Sequence, residues 1–185
     1  MLDDLVPSST ILREARPGIW SALSPETEDA HYDARAAAYD RVVGSALYNR
    51  LLWGASPEQY RAVARRAVAA GDGPLLDAGA GSAVFTAGAY AEADRPLLLV
   101  DRSIGMLEAA RTRIADCAGG TLPSSITFLQ ADANDLPLRN GSIDTVLSMG
   151  MLHLFDDVAG HVEELGRVLA PGGRLFAMCL VAEQW

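Results

Sequence analysis

From residue 73 onward the chain alternates short apolar runs with longer stretches of helical spacing. PLLDAG, PLLLVD, SITFLQAD, IDTVLSMG and RLFAMCL are brief, mostly apolar and bounded by Gly, Pro, Asp or Ser, which marks them as strands. Between them the spacing predicts a helix from the glycine turn to about residue 93, another starting at Ser103, a loop after SITFLQAD, and a helix over 156–169. This last helix sets Val158, Val162, Leu165 and Leu169 on one face and stops at Ala170-Pro171-Gly172-Gly173. Strands apolar on both faces, each joined to the next by a helix, require a parallel sheet covered on both sides. The expected fold is doubly wound α/β with a mostly parallel sheet.

Upstream the rhythm differs. Residues 1–30 are broken by Pro7, Pro17, Gly18 and Pro25 and read as a flexible or surface-laid arm. Residues 31–72 are helical in pattern, with two short helices hinged near Gly44-Ser45. Ser56-Pro57-Glu58 then opens a third helix, with Ser as cap and Pro in the first turn, stopped by Gly71-Asp72-Gly73. The chain is therefore read as an arm (1–30), a helical segment (31–72) and an α/β core (73–185) within one domain.

Composition narrows the partners. The 185 residues, half of them hydrophobic, suffice for one domain with a real core. A net charge of −9 repels phosphate backbones, so no nucleic acid partner is expected, and Arg61, Arg65 and Arg66 read as a solvated helix face. No apolar run of about 18 residues offers a membrane span, and no basic leader with an apolar stretch opens the chain, so a cytoplasmic setting is expected. Cys117 and Cys179 lack metal-ligand spacing and read as reduced, core or near-core residues.

The chemistry concentrates at LLDAGAGSA, where Gly79 and Gly81 stand at the turn from the first strand toward the first helix. Sheets of this type bind ligands outside the carboxyl ends of their strands, where the strand order reverses. Glycine allows a tight turn and a close approach, and amides exposed at a helix start can receive a carboxylate or phosphate. A nicotinamide fingerprint wants G-x-G-x-x-G, but the sixth position from Gly79 is Val84. The pattern is instead Asp77-x-Gly79-x-Gly81-x-Ala83. The next strand ends on Asp101, twenty residues past Gly81, the distance at which a carboxylate reaches ribose hydroxyls.

Over roughly residues 32–180 the chain resembles class I (Rossmann-like) methyltransferases of the quinone-biosynthesis and small-molecule type. The matching stretches are LLDAGAGSAVFT, LLLVDRSIGMLEAARTR, FLQADANDLPLRNGSIDTVLSM and ELGRVLAPGGRLFAMCL, in that order. The resemblance implies S-adenosyl-L-methionine as cofactor and a small-molecule methyl acceptor, with no metal. It implies that Asp77, Gly79, Ala80 and Gly81 surround the methionyl end. Asp101 would hold the ribose, with Arg102 and Met106 flanking the adenine. Asp132 would accept from the adenine amino group and Ala133 would offer its amide, while Ser148 and Met149 lie beside the methionine and ribose. In similar proteins the helical segment forms a lid over the donor, which carries Tyr39 into the cofactor set; by itself Tyr39 reads equally as a helix-packing aromatic.

Where the family usually has a third glycine this chain has Ala83, the smallest change, expected to be tolerated because it favours the helix beginning there. His153 follows the fourth strand, where acceptor and catalytic groups lie in the family, and would act as general base toward a hydroxyl; the competing reading is a packing histidine. His31 and His161 read as surface residues, and Asp156-Asp157 as an acidic first turn. Similar enzymes continue past the fifth strand into an antiparallel strand pair, which this chain is expected to lack. That would leave the 174–180 edge open to self-association. A non-catalytic S-adenosylmethionine-binding or partner domain is the rival reading, and a nicotinamide-dependent oxidoreductase the third.

Overall fold

The computed structural model describes residues 1–24 and 56–179. A short helix α1 (Leu2–Leu5) leads into a hairpin of β1 (Arg13–Arg16) and β2 (Ile19–Ser21). After α2 (Pro57–Val68) the alternation runs β3 (Leu75–Ala78), α3 (Ala87–Ala91), β4 (Leu97–Asp101), α4 (Ile104–Cys117), β5 (Ile126–Gln130) and β6 (Ile143–Met149). A single 3-10 turn (Leu152–Leu154), α5 (Val158–Val168) and β7 (Leu169–Met178) close the described chain. The sheet order is β1-β2-β5-β4-β3-β6-β7, parallel except for the β1–β2 pair. The chain thus winds outward in both directions from β3, and the switch between β3 and β6 opens a crevice at the carboxyl ends of the strands.

Alternation along the strands divides the core. Leu76, Leu98, Val100, Leu129 and Val146 face α1 and α5 on one side, with Leu5 and Leu165. Leu75, Leu97, Leu99, Phe128 and Leu147 face the other side, with Ala64, Tyr90 and Leu107 from α2, α3 and α4. The doubly wound α/β expectation is met. Helix α2 starts as predicted, on a capping box between Ser56 and Gln59.

The expected N-terminal arm is corrected over residues 1–24. Leu5 and Val6 are buried, Ile19 is 0% exposed and pairs in register with Phe128, and Ser21 pairs with Gln130. Pro17-Gly18 is the hairpin turn, with Gly18 at φ +75°. The segment is a sheet edge because its inward positions, Ile19 and Ser21, complete the β5 side. The helical segment expected over 31–72 is described only from residue 56 onward. Cys117 and Cys179 are exposed rather than near the core. Among the described residues β7 pairs with β6 alone, so the antiparallel pair lies at the opposite edge of the sheet. Among them, too, no helix is long and apolar enough to cross a membrane.

The built-in edge has a measurable consequence. Ile19→Ala is expected to lower unfolding free energy by about 2–5 kcal/mol in denaturant titration, as for a fully buried branched side chain. An unshifted midpoint would restore the arm.

Candidate functional site

Four parallel strands bring their carboxyl ends to one rim. Asp77 and the glycine turn follow from β3, Asp101 and Arg102 from β4, Asp132 and Ala133 from β5, and Ser148 and Met149 from β6. The glycine turn is folded back on β4. Gly79 and Ala80 both donate their amides to the Val100 carbonyl at 2.9 Å. Gly81 donates to Asp101 Oδ2 at 2.8 Å, while Ser103 donates to Asp101 Oδ1 at 2.9 Å. This corrects the expectation of outward amides at the turn: these three point into the fold. The helix start is also farther on, at Ala87, after turns over 81–86.

Left-handed backbone at Gly79 (φ +79°) and Gly81 (φ +53°) explains the two glycines. A Cβ at Gly79 would stand 2.4 Å from the Met151 sulfur, whereas a Cβ at Gly81 would meet nothing within 4 Å. The space in front of Gly81 is open. Ala83 shares the left-handed region (φ +54°) and lies outside the helix, so the rationale that it favours a helix there is replaced. An L-residue in that conformation costs roughly 1–2 kcal/mol. Its methyl, buried among Ala87, Tyr90 and Leu107, returns roughly 0.8 kcal/mol.

Beneath the turn, Asp77 is 2% exposed and accepts a 2.6 Å hydrogen bond from the Tyr90 hydroxyl. Burial pushes its carboxyl up to about 7; the Tyr90 bond works against this and the nearby Asp101 charge adds to it. Sequence reading missed Tyr90, one aromatic in the small-residue run AGAYA. It also missed Gln130, whose side chain accepts from Ser21 Oγ at 2.7 Å and donates to the Arg102 carbonyl at 3.0 Å.

On the β5 side, Arg102 and Asp132 form an ion pair at 3.3 Å, and Asp132 Oδ1 accepts from the Asn134 amide at 2.9 Å. Met106 is buried in the first turn of α4, its amide capped by Ser103 Oγ at 3.2 Å. Ala133 is buried, and Ser148 Oγ is buried at the end of β6 with no hydrogen-bond partner among the described residues. Met149 is partly buried against the α2–α4 side of the core. His153 is exposed on the 3-10 turn just past β6. Asp157 is the N-cap of α5, accepting from the Gly160 amide at 2.8 Å, and the first turn itself carries no acidic residue, which corrects the acidic-turn reading. His161, expected at the surface, is 1% exposed and is corrected to a buried residue. Tyr39 lies outside the described residues.

A family model described as a methyltransferase domain matches residues 76–177, more than half of the chain. The chain is 35% identical over 153 residues to a demethylmenaquinone methyltransferase of Clavibacter sepedonicus, covering 82% of this chain and 57% of that protein. It is 34% identical over 152 residues to a ubiquinone/menaquinone biosynthesis C-methyltransferase of Syntrophotalea carbinolica, covering 80% and 58%. It therefore spans somewhat over half the length of these relatives. The fold is shared, at 22% identity and a TM-score of 0.59, with a Haemonchus contortus phosphoethanolamine N-methyltransferase solved with S-adenosylhomocysteine, over 84% of this chain and 36% of that one.

The Asp77–Tyr90 pair predicts a pH signature. The folded chain holds the Asp77 proton to about pH 7, whereas an unfolded carboxyl releases it near 3.8. Between those values the native state binds more protons, so this group's contribution to stability falls as pH rises through that window. Asp77→Asn cannot titrate. Its stability relative to wild type should therefore be higher at pH 8 than at pH 5 in denaturant titrations, and parallel profiles would refute the shift.

Proposed function

This chain belongs to the methyltransferase-domain family, and we propose that it binds S-adenosyl-L-methionine at the rim of the sheet and methylates a small-molecule acceptor of quinone type. The observation that carries the reading is the Asp101 carboxylate, held at the end of β4 between the glycine turn and the start of α4 by the Gly81 and Ser103 amides, where sheets of this type place the residue that reads a ribose. Open space before Gly81 and the partnerless Ser148 Oγ fit a ligand with polar groups at this rim.

The bound cofactor supplies an activated methyl group on a positively charged sulfur. Asp101 would hold the ribose, Arg102, Met106 and Ala133 would wall the base, and Asp132 would accept from its amino group. With the amides of Gly79, Ala80 and Gly81 turned inward, the turn contributes shape rather than donors at the methionyl end. Asp77 contributes field: a cationic ligand above it favours its charged form. Ser148 and Met149 complete the β6 side. Methyl transfer is an in-line displacement that needs alignment and a dry site more than acid–base groups. The acceptor's proton still has to leave, and we assign its removal to His153.

The quinone-type acceptor rests on the names of the two relatives, and a cytoplasmic enzyme without a nucleic acid partner suits the acidic charge. We also infer self-association through the edge strand that begins near Arg174, where Leu175 is exposed and β7 has β6 as its one strand neighbour among the described residues. Light scattering over a concentration series should show a rising mass; a constant monomer mass would rule this out.

Two variants divide the donor and acceptor roles. Asp101→Ala should weaken S-adenosylhomocysteine binding in calorimetry by about tenfold to a hundredfold, the value of one charge-assisted hydrogen bond. His153→Ala should leave that binding intact while lowering methyl transfer to a demethylated naphthoquinol by about 10²–10⁴. Absence of label transfer from wild type, with the nucleoside bound, would reduce the chain to a binding domain.

A further inference from the structure

Helix α5 turns a polar ladder, not an apolar stripe, toward the loop that follows β5. His161, Glu164 and Arg167 stand at i, i+3 and i+6 and therefore share a face. Glu164 Oε1 accepts from the Leu136 amide at 2.7 Å. Arg167 bonds both Glu164 oxygens at 2.7 Å and donates to the carbonyls of Leu136 and Leu138. His161 Nδ1 lies 2.8 Å from Asn134 Oδ1, its ring tilted against Phe155 at 4.2 Å between centroids. Nε2 is buried without a partner, so the proton belongs on Nδ1, which donates to Asn134. Burial holds the imidazole below its ordinary value, against the pull of Asp132, of a bond to the Ala133 backbone and of Glu164.

Asn134 is the link to the site. Its backbone amide fixes Asp132 Oδ1 at 2.9 Å, and Arg102 is the ion-pair partner on Asp132 Oδ2. Asn134 itself is an exposed loop residue whose side chain is tied down by His161. The aim of the Asp132 carboxylate is thus set by a relay that ends in a buried histidine.

We propose that His161 is a positioning residue for base recognition: by holding Asn134 it fixes Asp132 in the orientation that reads the amino group of the donor's purine. The inference rests on the donor reading given above. The whole chain is titrated calorimetrically with S-adenosylhomocysteine and with S-inosylhomocysteine, in which oxygen replaces that amino group. Wild type should prefer the adenosyl ligand by about tenfold to a hundredfold. Asn134→Ala, at an exposed position where folding is not at stake, should cut the preference below about threefold, chiefly by weakening the adenosyl ligand. His161→Phe keeps a ring against Phe155 without the N–H and should do the same, whereas His161→Gln, with an amide donor, should retain most of the preference. Full preference in Asn134→Ala, or equal weakening of both ligands, overturns the assignment. A wild type that binds both ligands alike overturns the assignment but leaves the donor reading standing, whereas one that binds neither removes the donor reading itself; either result appears before any variant is made.

Discussion

The carboxylate of Asp101 receives one backbone amide on each oxygen, from Gly81 and from Ser103, and the rim of the sheet is organised by that pair of bonds. Val100 contributes the same kind of constraint one residue earlier by accepting two amides from the turn. Three successive amides after β3 are therefore bound to the end of β4. Ser103 carries the connection onward by capping Met106 at the start of α4. Amide bonds to a carboxylate are charge-assisted, worth about 1.5–3 kcal/mol each, a sizeable fraction of a domain's marginal stability. Turn, strand end and helix start thus form one rigid unit.

Buried polar groups around this unit are treated in two ways. Arg95 is buried and donates to the carbonyls of Ala67, Val68 and Gly73 and to Thr145 Oγ1, so its charge is fully dressed where α2 ends and β6 begins. Among the described residues Asp77 has one hydrogen-bond donor, the Tyr90 hydroxyl, for a whole carboxylate. One neutral hydrogen bond does not offset desolvation of the charge, and the proton therefore stays on to about pH 7. A structural role needs the dressed group; a group that waits for a cation fits the undressed one.

The strands were legible because burial on both faces removes polar positions from their interiors, and Asp101 because its distance from Gly81 follows from one strand–helix–strand repeat. What was missed depends on contacts between distant segments. REARPGIWS has no clean apolar–polar alternation, and its Pro17-Gly18 turn signals a hairpin as readily as an arm; only the partner strand β5 decides between them. In α5 the apolar spacing favoured a face with Val158 and Val162, yet these are 41% and 40% exposed. The helix instead buries Leu165 and Val168 in the core with His161 beside them, because the loop after β5 supplies in Asn134 a partner that makes a buried imidazole tolerable. Tyr90 gave no signal, since a hydroxyl facing a carboxylate thirteen residues away is invisible to periodicity.

The two walls of the rim are consequently held by different physics. The glycine turn and Asp101 are bonded into the parallel ladder, so a shift there would break strand–strand hydrogen bonds as well as their own. The Asp132–Leu138 loop lies outside the ladder and is fastened by side chains of one helix, with Arg139 donating its amide to the Leu5 carbonyl at 2.8 Å. Side-chain fastenings can be exchanged one at a time without loss of the core, because Leu136 and Leu138 remain buried beneath them. If the proposed donor binds here, the loop that would face its base can be altered without disturbing the contacts carried by the sheet, since the loop's side-chain fastenings lie outside the ladder.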